Sequence, residues 1–335
     1  MKFVELAALE VVHEGLSWPW LAFDPTGKRV AFVASKERIE TRVLDGEGTV
    51  EGPGFTLPSD LPPANVCGFA VNGTGALLVL TGAAGAVSVV VTCGVEGELR
   101  RSTIESLAGA GFTARAVVFE RGTHGARVWI SAESEKETAL LLVDANTHAL
   151  VGIARSPAFP PPAMHELYLH PQDDAVLLIA ACGEDGTFAR VVGWSGEKVE
   201  AITGALDAGG IPAGFVGFSV DGQRVHLVEA DELRTHAWPG LQELSSVELA
   251  DDFVSSFAGA VLGEHLYIDG EFAEVSEDAV MRFDRSAIRG KVMLAPFPTG
   301  MWAGRLGTDA IVTVEAKGDP ARARILRIEL PDTSN

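Results

Sequence analysis

Apolar positions in this chain fall in short, near-continuous runs separated by polar turns, without the three- and four-residue recurrence of an amphipathic helix. The segment FDPTGKRVAFVAS, residues 23 to 35, shows the unit. An aromatic residue is followed by Asp24-Pro25-Thr26-Gly27, where Pro sets φ and Gly tolerates a positive φ, and then by an apolar run. This predicts strand, tight turn, strand. The same order returns at 68–82, 116–132, 167–181, 216–230, 259–270 and 303–316. The last apolar residue before each turn (Phe23, Val71, Phe119, Leu169, Phe218, Val261, Leu306) recurs at intervals of 43 to 50 residues.

Short strands repeated at that interval predict a propeller blade of about four strands per copy. Third strands are expected at Ile39–Leu44, Val87–Thr92, Ala139–Val143, Phe188–Trp194 and Leu233–Trp238, with more polar fourth strands such as Leu99–Ile104 and Glu243–Leu249. Second strands such as Ala76–Leu80 and Ala175–Ile179 are apolar on both faces, as sheets sandwiched between neighbours require. First strands carry small residues (Gly68, Gly214, Gly217, Gly259, Gly304) where strands are expected to converge on a crowded axis. The 24 residues from Leu306 to Leu330 are too few for a blade, and the 22 before Phe23 hold one extra strand, so together they make one repeat. The predicted fold is therefore all-β, a seven-bladed β-propeller closed by the N-terminal strand pairing with the C-terminal blade. It is read as one domain over 1–335, with blades starting near residues 19, 66, 115, 165, 214, 254 and 301 and residues 3–12 as the outer strand of blade seven.

On these turns and this period the chain resembles seven-bladed propellers of the WD40-like or YVTN-repeat type over essentially its whole length. The Trp-Asp pair and the Gly-His of true WD40 repeats are absent; Val43-Leu44-Asp45 and Leu142-Val143-Asp144 stand in comparable positions.

Composition narrows the functional classes. With 26 Lys and Arg against 46 Asp and Glu the formal charge is −20, which repels nucleic-acid backbones and anionic membrane surfaces. No apolar run reaches the roughly 18 to 20 residues of a membrane span, and Glu5 and Glu10 interrupt the N-terminal segment where a signal peptide is continuous. Cys67, Cys93 and Cys182 are far apart and odd in number, so they read as small core residues in a reducing compartment. The expectation is a cytoplasmic monomer.

Catalytic signatures are missing from the sequence. His165 and His170 are one place too far apart for a zinc HExxH, Gly73-Thr74-Gly75 is followed by Leu78 where a dinucleotide fingerprint has Gly, and no GxSxG elbow occurs. No metal or cofactor is implied.

In a propeller, loops entering the first strands share one face with loops joining second to third strands. The latter are acid-rich here, at Glu133–Glu137, Glu184-Asp185, Glu229–Glu232 and Asp269–Glu271 running on to Glu277-Asp278. Glu135, Glu184 and Asp231 are candidate contacts on that rim. The entering loops bring Trp18 and Trp20 to blade one, Phe253 to blade six, and Met301 and Trp302 to blade seven, the residue types that make interface anchors. The leading expectation is a non-enzymatic scaffold that holds a protein or peptide carrying basic residues. The alternative is a small-molecule-binding or lactonase-like hydrolytic propeller with its site in the axial funnel, drawing on Arg115, His165, Glu166 and Asp252.

Overall fold

The computed structural model describes residues 2–12, 21–35, 37–44, 49–59, 66–81, 88–121, 126–161, 163–203, 206–207, 213–229, 231–250, 253–262, 265–272, 277–284, 292–294, 301–306, 310–315 and 321–329. These residues form seven antiparallel sheets, six of them meanders of four consecutive strands, two of these with one extra short strand, and the seventh three consecutive strands joined by Lys2–Val11. Blade three is the most regular, with strands Thr113–Phe119, Arg127–Glu133, Glu137–Asp144 and Leu150–Pro157 in that order from the axis outward. The architecture is a β-propeller.

The ring can be followed from blade to blade. The inner strand of blade one, Leu21–Phe23, adjoins that of blade two, Val66–Val71, which adjoins Thr113–Phe119 of blade three, then Met164–Leu169 of blade four. Tyr168 stacks on Phe215 at 3.9 Å, joining blade four to the inner strand of blade five, Ala213–Phe218. That strand adjoins Phe253–Leu262 of blade six, then Met301–Leu306 of blade seven, which returns to blade one.

Closure is by a strand from the other end of the chain. Lys2–Val11 pairs antiparallel with Ala321–Glu329 as the outer strand of blade seven, from Lys2 opposite Glu329 to Val11 opposite Ala321. Leu9 and Val11 are buried against Ala323, Ile325 and Leu21, so the added strand also packs on blade one.

Core clusters lie between blades rather than inside one sheet. Leu77, Val79 and Val91 of blade two pack with Ile39 of blade one, while Leu78, Leu80 and Val90 on the other face pack with Ile130 and Leu141 of blade three. Both faces of the second strands are thus buried, which accounts for their weak alternation.

The turns form for the local reasons that the sequence suggests. Asp24 accepts from the backbone N–H of Thr26 at 3.0 Å and of Arg29 at 2.5 Å, with Gly27 at φ 70°. Asn72 repeats the device in blade two, its Oδ1 accepting from the N–H of Thr74, Gly75 and Ala76. One expected strand end differs: Thr103 ends the fourth strand of blade two and caps a five-residue helix, Ile104–Ala108, by accepting from Ser106 N–H at 3.1 Å.

The small residues at Gly217 and Gly259 sit where neighbouring inner strands converge, as the sequence suggests: Val261 and Val216, on the inner strands of blades six and five, are their close neighbours. A Cβ on Gly217 would lie 2.1 Å from Val261 Cγ2 of the next blade, and one on Gly259 2.7 Å from Tyr267 O of its own sheet. Gly68 has ordinary room, its nearest neighbour at 3.8 Å. The tight contacts are between and within sheets. Among the described residues no helix is long and apolar enough to cross a membrane.

Candidate functional site

Three consecutive blades present carboxylates at the same face, and each is placed by its own turn. In blade three, Ser134 N–H donates to Glu137 O at 2.8 Å and Ser134 Oγ accepts from Glu137 N–H at 3.0 Å, which leaves Glu135 exposed at the tip. In blade four a single 3-10 turn, Gly183–Asp185, starts at Gly183 with φ 61° and exposes Glu184 and Asp185. In blade five the tight turn between Glu229 and Glu232 exposes Asp231, whose carbonyl accepts from Leu249 N–H at 2.6 Å. None of these four carboxylates has an ion-pair partner among the described residues.

An apolar group stands at the same end of blade four, beside the Gly183–Asp185 turn. Met164 opens the inner strand of blade four opposite Ala181 and is 71% exposed, the most exposed large apolar side chain among the described residues. Sequence reasoning passed over it because a Met opening an apolar strand reads as core; its exposure depends on alternation with buried His165, which puts Met164 on the other side of the strand.

Other acids of these loops turn inward. Glu133 ends the second strand of blade three and is buried; its Oε2 lies 3.2 Å from Arg115 Nη2, and its Oε1 lies 3.7 Å from Nε2 of buried His165 in blade four. At 3.7 Å the second contact is too long for a hydrogen bond, and His165 Nδ1 is 3.2 Å from Ser131 Oγ. Arg115 reaches Glu133 because it is the extra residue of a bulge: Ala114 pairs with Ala132 and Ala116 with Ser131. Burial pushes the Glu133 carboxyl up, but His165 and Arg115 more than offset it and hold it below the usual carboxylate range.

Glu229 occupies the corresponding strand end in blade five with the opposite outcome. Its Oε2 is 3.2 Å from Arg234 Nη1 yet makes no hydrogen bond. Burial raises its carboxyl; Arg234 opposes this, and Glu243 and Glu232 add to it, so the net shift is upward. Asp269 is buried too. The acid-rich segments are therefore divided, with tip residues in solvent and the strand residues Glu133, Glu229 and Asp269 buried.

The three funnel candidates among the described residues, Arg115, His165 and Glu166, do not line one cavity together. Arg115 and His165 meet, but only through Glu133, which occupies both. Glu166 is exposed on the opposite side of the strand from His165 and accepts from the Tyr168 hydroxyl. Asp252 lies outside the described residues. Among the described residues no three His, Cys, Asp or Glu are grouped so as to hold a metal ion.

Of the aromatic candidates, Trp18 and Trp20 lie outside the described residues, as do the side chains of Met301 and Trp302. Phe253 is not a rim anchor: it is buried with Val216, Val228 and Leu249 of blade five, because it begins a strand that the neighbouring blade covers.

No family model matches the chain, and no curated protein is similar to it in sequence. Among solved structures it is similar to the β-propeller domain of Myceliophteria thermophila Cps50 (Swd1), with a TM-score of 0.59 at 12% identity over 98% of this chain and 99% of that one. It is also similar to the Dos1 propeller, with a TM-score of 0.58 at 12% identity over 97% of this chain and 94% of that one. At such identity the likeness speaks to the fold alone.

Proposed function

We propose that the chain is a non-enzymatic interaction scaffold, and that the face carrying Glu135, Glu184, Asp185 and Asp231 holds a partner polypeptide with basic residues around an apolar contact at Met164. The observation that carries this reading is the unneutralised state of the four carboxylates on three successive blades, next to a Met with most of its surface in water. Isolated exposed charges raise the encounter rate with an opposite charge, and the unbranched thioether adapts to whatever apolar group arrives. Rigid blades hold the loops in place before binding, which limits the ordering cost.

The test must separate this face from the general attraction of a chain at −20 for anything basic. A fluorescent peptide of alternating Lys and Leu serves as probe, read by anisotropy. The variant E135K/E184K/D231K is compared with E96K/E98K/E105K, which makes the same charge change at exposed positions of blade two. The face variant is expected to bind at least tenfold more weakly, and the control to stay within about twofold of the parent. Equal losses in both would refute the reading.

A further inference from the structure

The turns joining first to second and third to fourth strands lie at the opposite end of the propeller from Glu135 and Asp231. There, between blades four and five, a crevice of about 170 Å3 is lined by Asp173, Asp174, Trp194, Glu200, Ile202 and Trp238. This is below the roughly 300 to 1,000 Å3 of metabolite sites, and its size suits one side-chain head group.

Its walls are aromatic and fixed. The Trp238 indole N–H donates to Asp173 Oδ2 at 2.8 Å, and its ring stacks on His170 at 4.5 Å and 9°. His170 Nε2 is in turn 2.8 Å from Gly222 O of blade five. Trp194 is half-buried, and Ile202 is 46% exposed, an open apolar surface beside it.

Its charge is negative. The Asp174 and Glu200 carboxylates are about half exposed, at 57% and 47%. Lys198 pairs with Glu200 at 2.7 Å. Arg127 shows what the surroundings accept: its guanidinium lies 5.8 Å over the Trp194 ring and 4.0 Å from Asp174. Two 2.6 Å hydrogen bonds to Glu120 hold it there, outside the lining of the crevice. Glu120, Asp173, Asp174 and Glu200 are thus faced by the cations Arg127 and Lys198, with His170 Nδ1 3.2 Å from Asp173 Oδ2.

We propose that this crevice binds an arginine side chain of a partner polypeptide, its guanidinium plane against Trp194 and its N–H groups on Asp174 and Glu200. A planar, weakly hydrated cation both stacks on an aromatic ring and forks onto carboxylates, whereas a lysine ammonium is a compact and strongly hydrated point charge. The assignment concerns the far end of the molecule and stands apart from the scaffold reading of the acidic face.

The experiment is a titration of the full chain, labelled with 15N at tryptophan, with N-acetyl-arginine methylamide at constant ionic strength. The indole N–H resonances of Trp194 and Trp238 are read, Trp194 assigned from Trp194→Phe. Saturable movement of these two resonances is expected, at least fivefold weaker in D174N/E200Q and absent with the neutral citrulline analogue. The E135K/E184K/D231K variant, altered only at the other face, should titrate like the parent. An equal response to citrulline, no saturable movement, or an unchanged affinity in D174N/E200Q would each overturn the site. Binding of N-acetyl-lysine methylamide as tight as that of arginine would overturn the guanidinium assignment.

Discussion

Glu5 and Arg324 are 319 positions apart in the chain and joined by a hydrogen bond of 2.7 Å, with Arg322 on the other carboxylate oxygen at 3.2 Å. The pair marks the seam where the two ends of the chain meet. Its side chains are partly in solvent, so Glu5→Ala should cost less than about 1 kcal/mol. Leu9→Ala, four residues on, removes a buried contact between blade seven and blade one and should cost about 2 to 5 kcal/mol. Denaturant midpoints of the two variants measure whether apolar packing or charge secures the seam.

The interface between blades five and six has no room at Gly217. A methyl group there would meet Val261 Cγ2 at 2.1 Å, and Val261 is itself fully buried. Gly217→Ala should destabilise by about 1 to 3 kcal/mol through forced displacement of the facing strand. The same substitution at Gly68, where the nearest atom is 3.8 Å away, should be tolerated within about 1 kcal/mol. Urea unfolding of both variants gives the comparison.

Glu133 and Glu229 should bend the pH dependence of stability in opposite directions. The Glu133 carboxyl is held below its ordinary 4.5, so the unfolded chain takes up the proton first as pH falls. Its contribution is present above about 4.5 and is lost as pH drops through the folded value. Glu229 is raised above 4.5, so the folded chain keeps the proton longer, and stability falls as pH rises from 4.5 through the folded value. Glu133→Gln should flatten the acid side of the profile, and Glu229→Gln should raise the unfolding midpoint at pH 7. Unfolding curves between pH 3 and pH 7 distinguish the two signs.

Burial pushes the thiols of Cys67, Cys93 and Cys182 from 9.0 up to about 11. At a given pH below both values this leaves about a hundredfold less thiolate, the reactive form. A thiol reagent such as Ellman's should therefore react at least tenfold more slowly with the native chain than in denaturant. Fast reaction of one thiol in the native state would place it in solvent.

If the acidic face meets its partner by charge, affinity should fall with salt. Exposed charges are screened beyond about 10 Å at 0.1 M and about 3 Å at 1 M ionic strength. For the Lys-Leu probe, a rise from 50 mM to 500 mM NaCl should weaken binding at least tenfold, and E135K/E184K/D231K should show a shallower slope.

What could be read from the chain was what its neighbours in sequence decide. The Asp24 and Asn72 turns are made by side chains bonding to backbone within a few positions, so their spacing exposed the repeat and, with it, the ring. Glu133 and Glu229 looked like loop acids because nothing local marks them as buried; the covering group comes from an adjacent blade or strand. Phe253 is hidden by residues of blade five in the same way. Arg115 could be named, but its partner depended on a bulge that shifts the register by one residue. The crevice of Trp194 and Trp238 joins turns 44 positions apart in the chain and carries no pattern of its own.

The pairing of Lys2–Val11 with Ala321–Glu329 also sets an order of events during synthesis. The strand Lys2–Val11 must wait for Ala321–Glu329, over roughly 15 to 65 s at about 5 to 20 residues per second. Throughout that interval Leu9 and Val11 lack the strand that buries them, and the ring stays open as an apolar edge until Ala321–Glu329 has been made.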